Sequence, residues 1–167
     1  MKILFFWIGN ELPEERKSAI ASTMALYPEA QYFCITDQKY FVSPKIGCID
    51  PQSIIDDMMR YFGFKVMPGQ WKSPVILSDW ARFFYLSVNP NALYLDTDCR
   101  MVKRFDFEGQ ANCLHAESDY YLIYSPKAGV DFRPMMKNQA PGLLVGMAAK
   151  ITWWKPLSGL YYKHREV

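Results

Sequence analysis

The sequence predicts an α/β domain, and three observations carry that expectation. The chain opens with an apolar run, a helical stretch and a second apolar run, which reads as a β-α-β unit with a short crossover. Half of its 167 residues are hydrophobic and 16% are aromatic, which excludes disorder and calls for a dense core. Residues 78–102, SDWARFFYLSVNPNALYLDTDCRMV, read as a helix, a tight turn and a buried strand that ends on Asp96 and Asp98.

In chain order, residues 2–8 (KILFFWI) are apolar nearly throughout, as a strand covered on both faces should be. Gly9 and Asn10 break the run. A helix is expected over 12–27, with Pro13 in an early turn, Glu14 and Glu15 near its positive end, and Pro28 closing it. Residues 31–36 (QYFCIT) supply the second strand. Pro44 and Gly47 interrupt the next segment, leaving room for a short strand at 46–49. Asp50 as N-cap and Pro51 in the first turn then start a helix that runs to about Tyr61. Residues 63–70 carry glycine and proline and read as a surface loop. The following helix spans Ser73-Pro74 to Ser87 and stops at the Asn89-Pro90-Asn91 turn, and 92–95 is the strand that delivers the aspartates. Further strands are expected at 100–107, 111–116, 120–124 and 143–148, with a polar turn at 117–119. Residues 151–167 are aromatic and basic, without a clear pattern. No repeat, low-complexity tract or linker divides the chain, so one domain over 1–167 is expected.

Composition narrows the function classes. The formal charge is +2 and basic residues are scattered, so no nucleic-acid partner is expected. The four cysteines, Cys34, Cys48, Cys99 and Cys113, form no CxxC pair and have no histidine cluster beside them. That spacing argues against zinc and redox motifs, and for small buried hydrophobes in a reducing cytosol. The opening apolar run is short and has no small-residue cleavage site after it, so it reads as a strand rather than a leader. No segment approaches the ~20 apolar residues of a membrane helix. A soluble, cytoplasmic domain is the expectation.

Asp96 and Asp98 are the first candidates for chemistry. Mg²⁺ and Mn²⁺ prefer oxygen ligands and often take one or two carboxylates plus substrate phosphates. Aspartate is also common in solvated turns, but a buried strand directly before the pair fixes where the carboxylates point. A calcium loop would need Gly and Glu where Met101 and Phe107 stand, so it fails. An aspartate-based phosphatase would carry its pair on the first strand, whereas here it lies past the middle of the chain and is followed by Cys99 and Arg100, so that reading stays open only as a remote alternative. On the preceding helix, Ser78, Asp79 and Arg82 fall within one sector of roughly 100° on an otherwise apolar cylinder. Charges there are costly unless paired or met by a polar ligand. An ordinary surface ion pair between Asp79 and Arg82 is the competing explanation. Trp7, at the end of the first strand, is either core or a flat platform at the carboxyl edge of a sheet, where α/β folds bind nucleotides. Gly9 beside it permits close backbone approach.

Taken together and in order, KILFFWIGNELPE, SDWARFFYL and ALYLDTD resemble the glycosyltransferases that carry a DXD sugar-binding region. That family includes the glucosyltransferase domains of large bacterial toxins and the yeast-type initiating mannosyltransferases. Its pattern is a first strand ending W-I-G, a helix with S-D-x-x-R, and a strand ending Y-L-D-x-D, matched here between residues 1 and about 104. The resemblance implies a Rossmann-like fold of the GT-A type, a mixed, mostly parallel sheet flanked by helices. It also implies a nucleotide-sugar-binding half at 1–104, with sheet completion and the acceptor side at 105–167. Trp7, with Ile8 and Gly9, would lie against the nucleobase, and Ser78 near it. Asp79 and Arg82 would hold the donor sugar and its phosphate side. Asp96 would contact ribose or sugar and the ion, and Asp98 would ligate the ion, Mn²⁺ or Mg²⁺. Asp96, Asp98 and Arg82 form the implied catalytic set, and transfer would retain the anomeric configuration. A UDP-sugar is favoured over a GDP-sugar as donor, with a carbohydrate or other hydroxyl compound as acceptor. The family often has Gly-Gly where this chain has Asn89-Pro90-Asn91. Asn138 and His164 are the candidates for ligands beyond the sheet, while His115 is read as structural. The short chain keeps an alternative open: a non-catalytic nucleotide-sugar-binding module, or a partial transferase that needs a partner.

Overall fold

A computed structural model describes residues 1–39, 41–62, 73–107, 113–116, 120–125 and 161–163. The chain runs β1 (Lys2–Trp7), α1 (Glu14–Leu26), β2 (Gln31–Thr36), β3 (Ile46–Ile49), α2 (Pro51–Phe62) and α3 (Pro74–Val88). It continues with β4 (Ala92–Leu95), β5 (Cys99–Met101), β6 (Cys113–Ala116), β7 (Tyr120–Ser125) and β8 (Tyr161–Lys163). Strands pair in the order β3-β2-β1-β4-β7-β6, and β5 pairs separately with β8. The first four of that order are mutually parallel, β7 is antiparallel to β4, and β6 is antiparallel to β7. The chain winds outward from β1 to β3, then returns to lay β4 on the other side of β1. Strand order therefore reverses at the β1–β4 pair, and the crevice beyond their carboxyl ends is where such sheets bind ligands.

The alternation of side chains along the strands explains why both faces are covered. Ile3 and Phe5 of β1, with Leu93 and Leu95 of β4, pack against Ile20 of α1. Leu4 and Phe6, with Ala92 and Tyr94, pack against Ile54 and Met58 of α2 and against Leu77, Ala81 and Leu86 of α3. The near-continuous apolar character of β1 follows directly from this two-sided burial. α3 is buried along most of its length. Each large apolar side chain fully withdrawn from water contributes about 1.5–3 kcal/mol, so tertiary packing holds this helix in place.

The helix boundaries follow local chemistry. The Asp50 carboxylate accepts the Ser53 N–H at 3.3 Å, so it caps α2 as expected, and Pro51 is the first helical residue. α3 opens on Pro74 and ends where Asn89 N–H and Nδ2 both donate to the Tyr85 carbonyl at 3.0 Å. Asn91 then takes a left-handed φ of 51°, a conformation asparagine tolerates better than most residues. A glycine pair is not needed for this turn.

Three expectations need correction. The strand expected over 100–107 is only Cys99–Met101. Past it, the Phe105 N–H donates to Tyr27 Oη at 2.8 Å, and Arg104 donates to the Leu26 carbonyl and to Glu29. These bonds pull the segment onto the end of α1 instead of into a ladder. Tyr161–Lys163 forms a strand where no pattern was seen, and its partner is β5. Cys48 is exposed on the edge strand β3, whereas Cys34 and Cys99 are buried; all three are free thiols. The loop at 63–70, the turn at 117–119, the strand expected at 143–148, Asn138 and His164 lie outside the described residues. His115 lies on β6. Among the described residues, no helix is long and apolar enough to cross a membrane.

Candidate functional site

The carboxyl ends of β1 and β4 deliver two sets of polar groups to the crevice, one on each face of the sheet. On the α1 face, Trp7 closes β1 half-buried, and its indole N–H donates to the Asn10 carbonyl at 2.7 Å. Gly9 has φ +115°, which strains any L side chain even though open space surrounds the place a Cβ would occupy. Trp7 stands in register with Thr36, so the residues after β2 lie level with this loop. The Gly9 N–H accordingly meets both Asp37 carboxylate oxygens at 3.2 and 3.3 Å. Gln38 Nε2 donates to the Gly9 and Asn10 carbonyls at 3.2 and 2.9 Å. The W-I-G loop is thus clasped by the end of its neighbouring strand.

Arg16 reaches over from α1. Its guanidinium lies 5.0 Å above the Trp7 ring, and its Nη1 donates to Thr97 Oγ1 at 3.2 Å. Thr97 is the buried middle residue between the two aspartates.

On the α3 face the groups are sunk deeper. Arg82 pairs with Asp79 at 2.5 Å, with side-chain exposures of 8% and 32%. These values exclude a solvated surface pair. The Arg82 Nε also donates to the Ser78 carbonyl at 3.3 Å, and the guanidinium lies 4.6 Å over the Tyr94 ring. Tyr94 joins the set to the carboxylates: its hydroxyl donates to Asp96 Oδ1 at 2.5 Å and lies 3.1 Å from Ser78 Oγ. With the tyrosine proton committed to Asp96, the serine hydroxyl donates to the tyrosine oxygen. Burial pushes the Tyr94 phenol far above its ordinary value, against the opposing pull of the Arg82 charge, so it remains a neutral donor.

Asp96 and Asp98 follow β4 in a turn closed by the Cys99 N–H on the Asp96 carbonyl at 3.0 Å. Both are half-buried, and the Cys99 thiol lies 3.8 Å from Asp98 Oδ1. Their hard oxygens suit Mg²⁺ or Mn²⁺ in type. Among the described residues, no group of three or more His, Cys, Asp or Glu gathers to hold a metal. An ion held by this pair would therefore draw other ligands from elsewhere, as Mg²⁺ does from phosphates and water.

Ser78, Asp79, Arg82 and Asp96 are brought together through Tyr94, and Trp7 is tied to the aspartate turn through Arg16. Ile8 packs instead against the α2–α3 core. Sequence reasoning missed Tyr94, Arg16, Thr97, Asp37 and Gln38. Strand alternation was an available signal for Tyr94, which lies two residues from Asp96 and so faces the same side. No comparable signal marked Arg16.

No family model and no curated protein matches the chain. Among solved structures it is similar to the PaToxG glycosyltransferase, with 16% identity and a TM-score of 0.53 over 81% of this chain and 57% of that one. It is also similar to the galactosyltransferase LgtC in complex with donor and acceptor sugar analogs (12% identity, TM-score 0.42, 75% of this chain and 57% of that one). Mouse xyloside xylosyltransferase 1 gives 12% identity and a TM-score of 0.45 over 70% and 53%. The chain thus spans little more than half the length of these proteins. At such identities the likeness concerns architecture, and the architecture is the GT-A type that the motifs implied.

Proposed function

We propose that the protein is a metal-dependent glycosyltransferase that moves a sugar from a nucleotide-sugar donor, a UDP-sugar before a GDP-sugar, to a hydroxyl acceptor with retention. The observation that carries this reading is the convergence of Ser78, Asp79, Arg82 and Asp96 on Tyr94, beside an aspartate turn at the point where strand order reverses. In this reading Trp7, with Ile8 and Gly9, supports the nucleobase, and Ser78 lies near it. Asp79 and Arg82 hold the sugar and its phosphate side, and Asp96 contacts ribose or sugar. Asp98 and Asp96 would hold Mn²⁺ or Mg²⁺, which when bound supplies positive charge against the departing diphosphate. Arg82 is already oriented by Asp79, the Ser78 carbonyl and the Tyr94 ring. Little ordering cost therefore remains when a diphosphate arrives. The acceptor oxygen bonds to the anomeric carbon on the face from which the diphosphate oxygen leaves, and the acceptor proton passes to that departing oxygen.

Thermal shift with UDP-, GDP- and CMP-sugars, each with and without Mn²⁺, tests the reading, because a ligand that binds only the folded state raises the melting point. The largest rise is expected for a UDP-sugar with Mn²⁺, and Asp98→Ala should erase the Mn²⁺-dependent part while melting normally alone. Indifference to every donor under both conditions would refute it. A second reading is a non-catalytic nucleotide-sugar-binding module or a partial transferase that needs a partner chain. Donor binding with neither hydrolysis nor transfer would select it.

A further inference from the structure

Arg16 plays no part in the mechanism above, yet it ties the end of β1 to the aspartate turn. Its guanidinium carbon lies over the Trp7 ring, 5.0 Å from the centroid, and its Nη1 donates to Thr97 Oγ1 at 3.2 Å. Neither contact is loosely placed. The indole is pinned by its own bond to the Asn10 carbonyl, and Thr97 is 4% exposed within a turn closed by Cys99 on Asp96. One guanidinium therefore serves both contacts at once, the cation over the ring and an N–H on the hydroxyl, so each contact constrains the other. Moving the turn moves Thr97, and with it the cation that lies over the indole.

We propose that Arg16 is a positioning residue that couples nucleobase binding at Trp7 to ion binding at the Asp96–Asp98 turn. The inference rests on the donor-pocket reading given above. An ion that settles the two carboxylates also settles the threonine between them, which fixes Arg16 and thereby the back of the nucleobase platform. Linkage makes the effect reciprocal: a stacked base stiffens the turn and raises its affinity for the ion.

The test measures how much Mn²⁺ strengthens the binding of UDP and of inorganic diphosphate, by titration calorimetry. For UDP, Arg16→Met and Thr97→Val should each cut that strengthening about fivefold, and the double variant should cut it no further. For inorganic diphosphate, which has no base to report, the strengthening should stay unchanged in all three variants. A merely structural Arg16 would weaken UDP equally with and without Mn²⁺, and that result overturns the coupling. So does an equal loss with inorganic diphosphate, which would make Arg16 a phosphate contact, and so does additivity of the two substitutions. If the unsubstituted protein binds neither ligand, the donor pocket itself is wrong and the inference falls with it.

Discussion

On the α3 side of the sheet's carboxyl edge Arg82, Tyr94 and Ser78 are sunk into the core, whereas on the α1 side Trp7, Arg16, Gly9 and Asp37 stand at its rim. Arg82, Tyr94 and Ser78 are all buried, and each is tied to at least one other member of the set. Trp7 and Arg16 are half-buried, while Gly9 and Asp37 are exposed. Polar groups in a dry setting must satisfy one another, so the first set is bound up with stability. Groups at the rim can exchange partners with water, so the second set can be altered at small cost to the fold. One edge of one sheet thus separates two kinds of residue that the motifs list side by side.

Substitutions can break or sharpen that contrast. The largest effect is expected from Asp79→Ala, which removes a carboxylate from a buried guanidinium and should cost about 3 kcal/mol in urea denaturation. A loss below about 1 kcal/mol, the range of exposed pairs, would move this set to the rim as well.

Tyr94→Phe should cost about 1–2 kcal/mol, because Ser78 and Asp96 each lose a buried partner. It also carries a pH signature. The folded phenol ionises well above its ordinary value of 10.0, and the unfolded one at that value. The stability held by this difference is whole below pH 10.0 and drains away as pH climbs toward the folded value. Denaturation between pH 9 and 11, on the order of the phenol's ordinary range, should show a shallower alkaline decline in Tyr94→Phe than in the unsubstituted protein. Identical slopes would mean the hydroxyl is not held in its neutral form.

Trp7→Ala should have the smallest effect on stability, about 1 kcal/mol, yet weaken nucleotide binding about tenfold or more. Equal melting losses for Trp7→Ala and Asp79→Ala would erase the distinction and return Trp7 to the core.

Much of the scaffold was legible because burial on two faces writes itself into the chain. β2, β3 and β4 fall where their apolar runs and turns predicted, and Asp50 caps α2 as its position before Pro51 implied. The pairing of Asp79 with Arg82 was legible from helical spacing, but its burial was not. How deep a charged pair sits depends on what the far ends of other elements bring to it, and here that is Tyr94. Long-range contacts of this kind leave no local trace: Arg16 and Thr97 are 81 positions apart. The overlong expectation for β5 has a similar origin. Residues 102–107 look strand-like by composition, and only the nearby end of α1, offering Tyr27, Leu26 and Glu29, draws them away.

The Asn89-Pro90-Asn91 turn lies at the opposite end of the sheet from the aspartates, and its bonds have a consequence there. Asn91 is gripped from two sides: its carbonyl accepts the Lys2 N–H at 2.9 Å, and its Oδ1 accepts the Tyr124 hydroxyl at 3.1 Å. Lys2 Nζ meanwhile holds Asn89 Oδ1 at 2.7 Å. β4 is only Ala92–Leu95, so these bonds index a very short strand against both of its neighbours. A slip of one residue in a strand turns every side chain to the other face. In β4 that would swing Tyr94 away from Ser78 and toward α1, carrying the aspartate turn with it. The turn serves as a registration mark, set at one edge of the sheet, for the alignment of polar groups at the other.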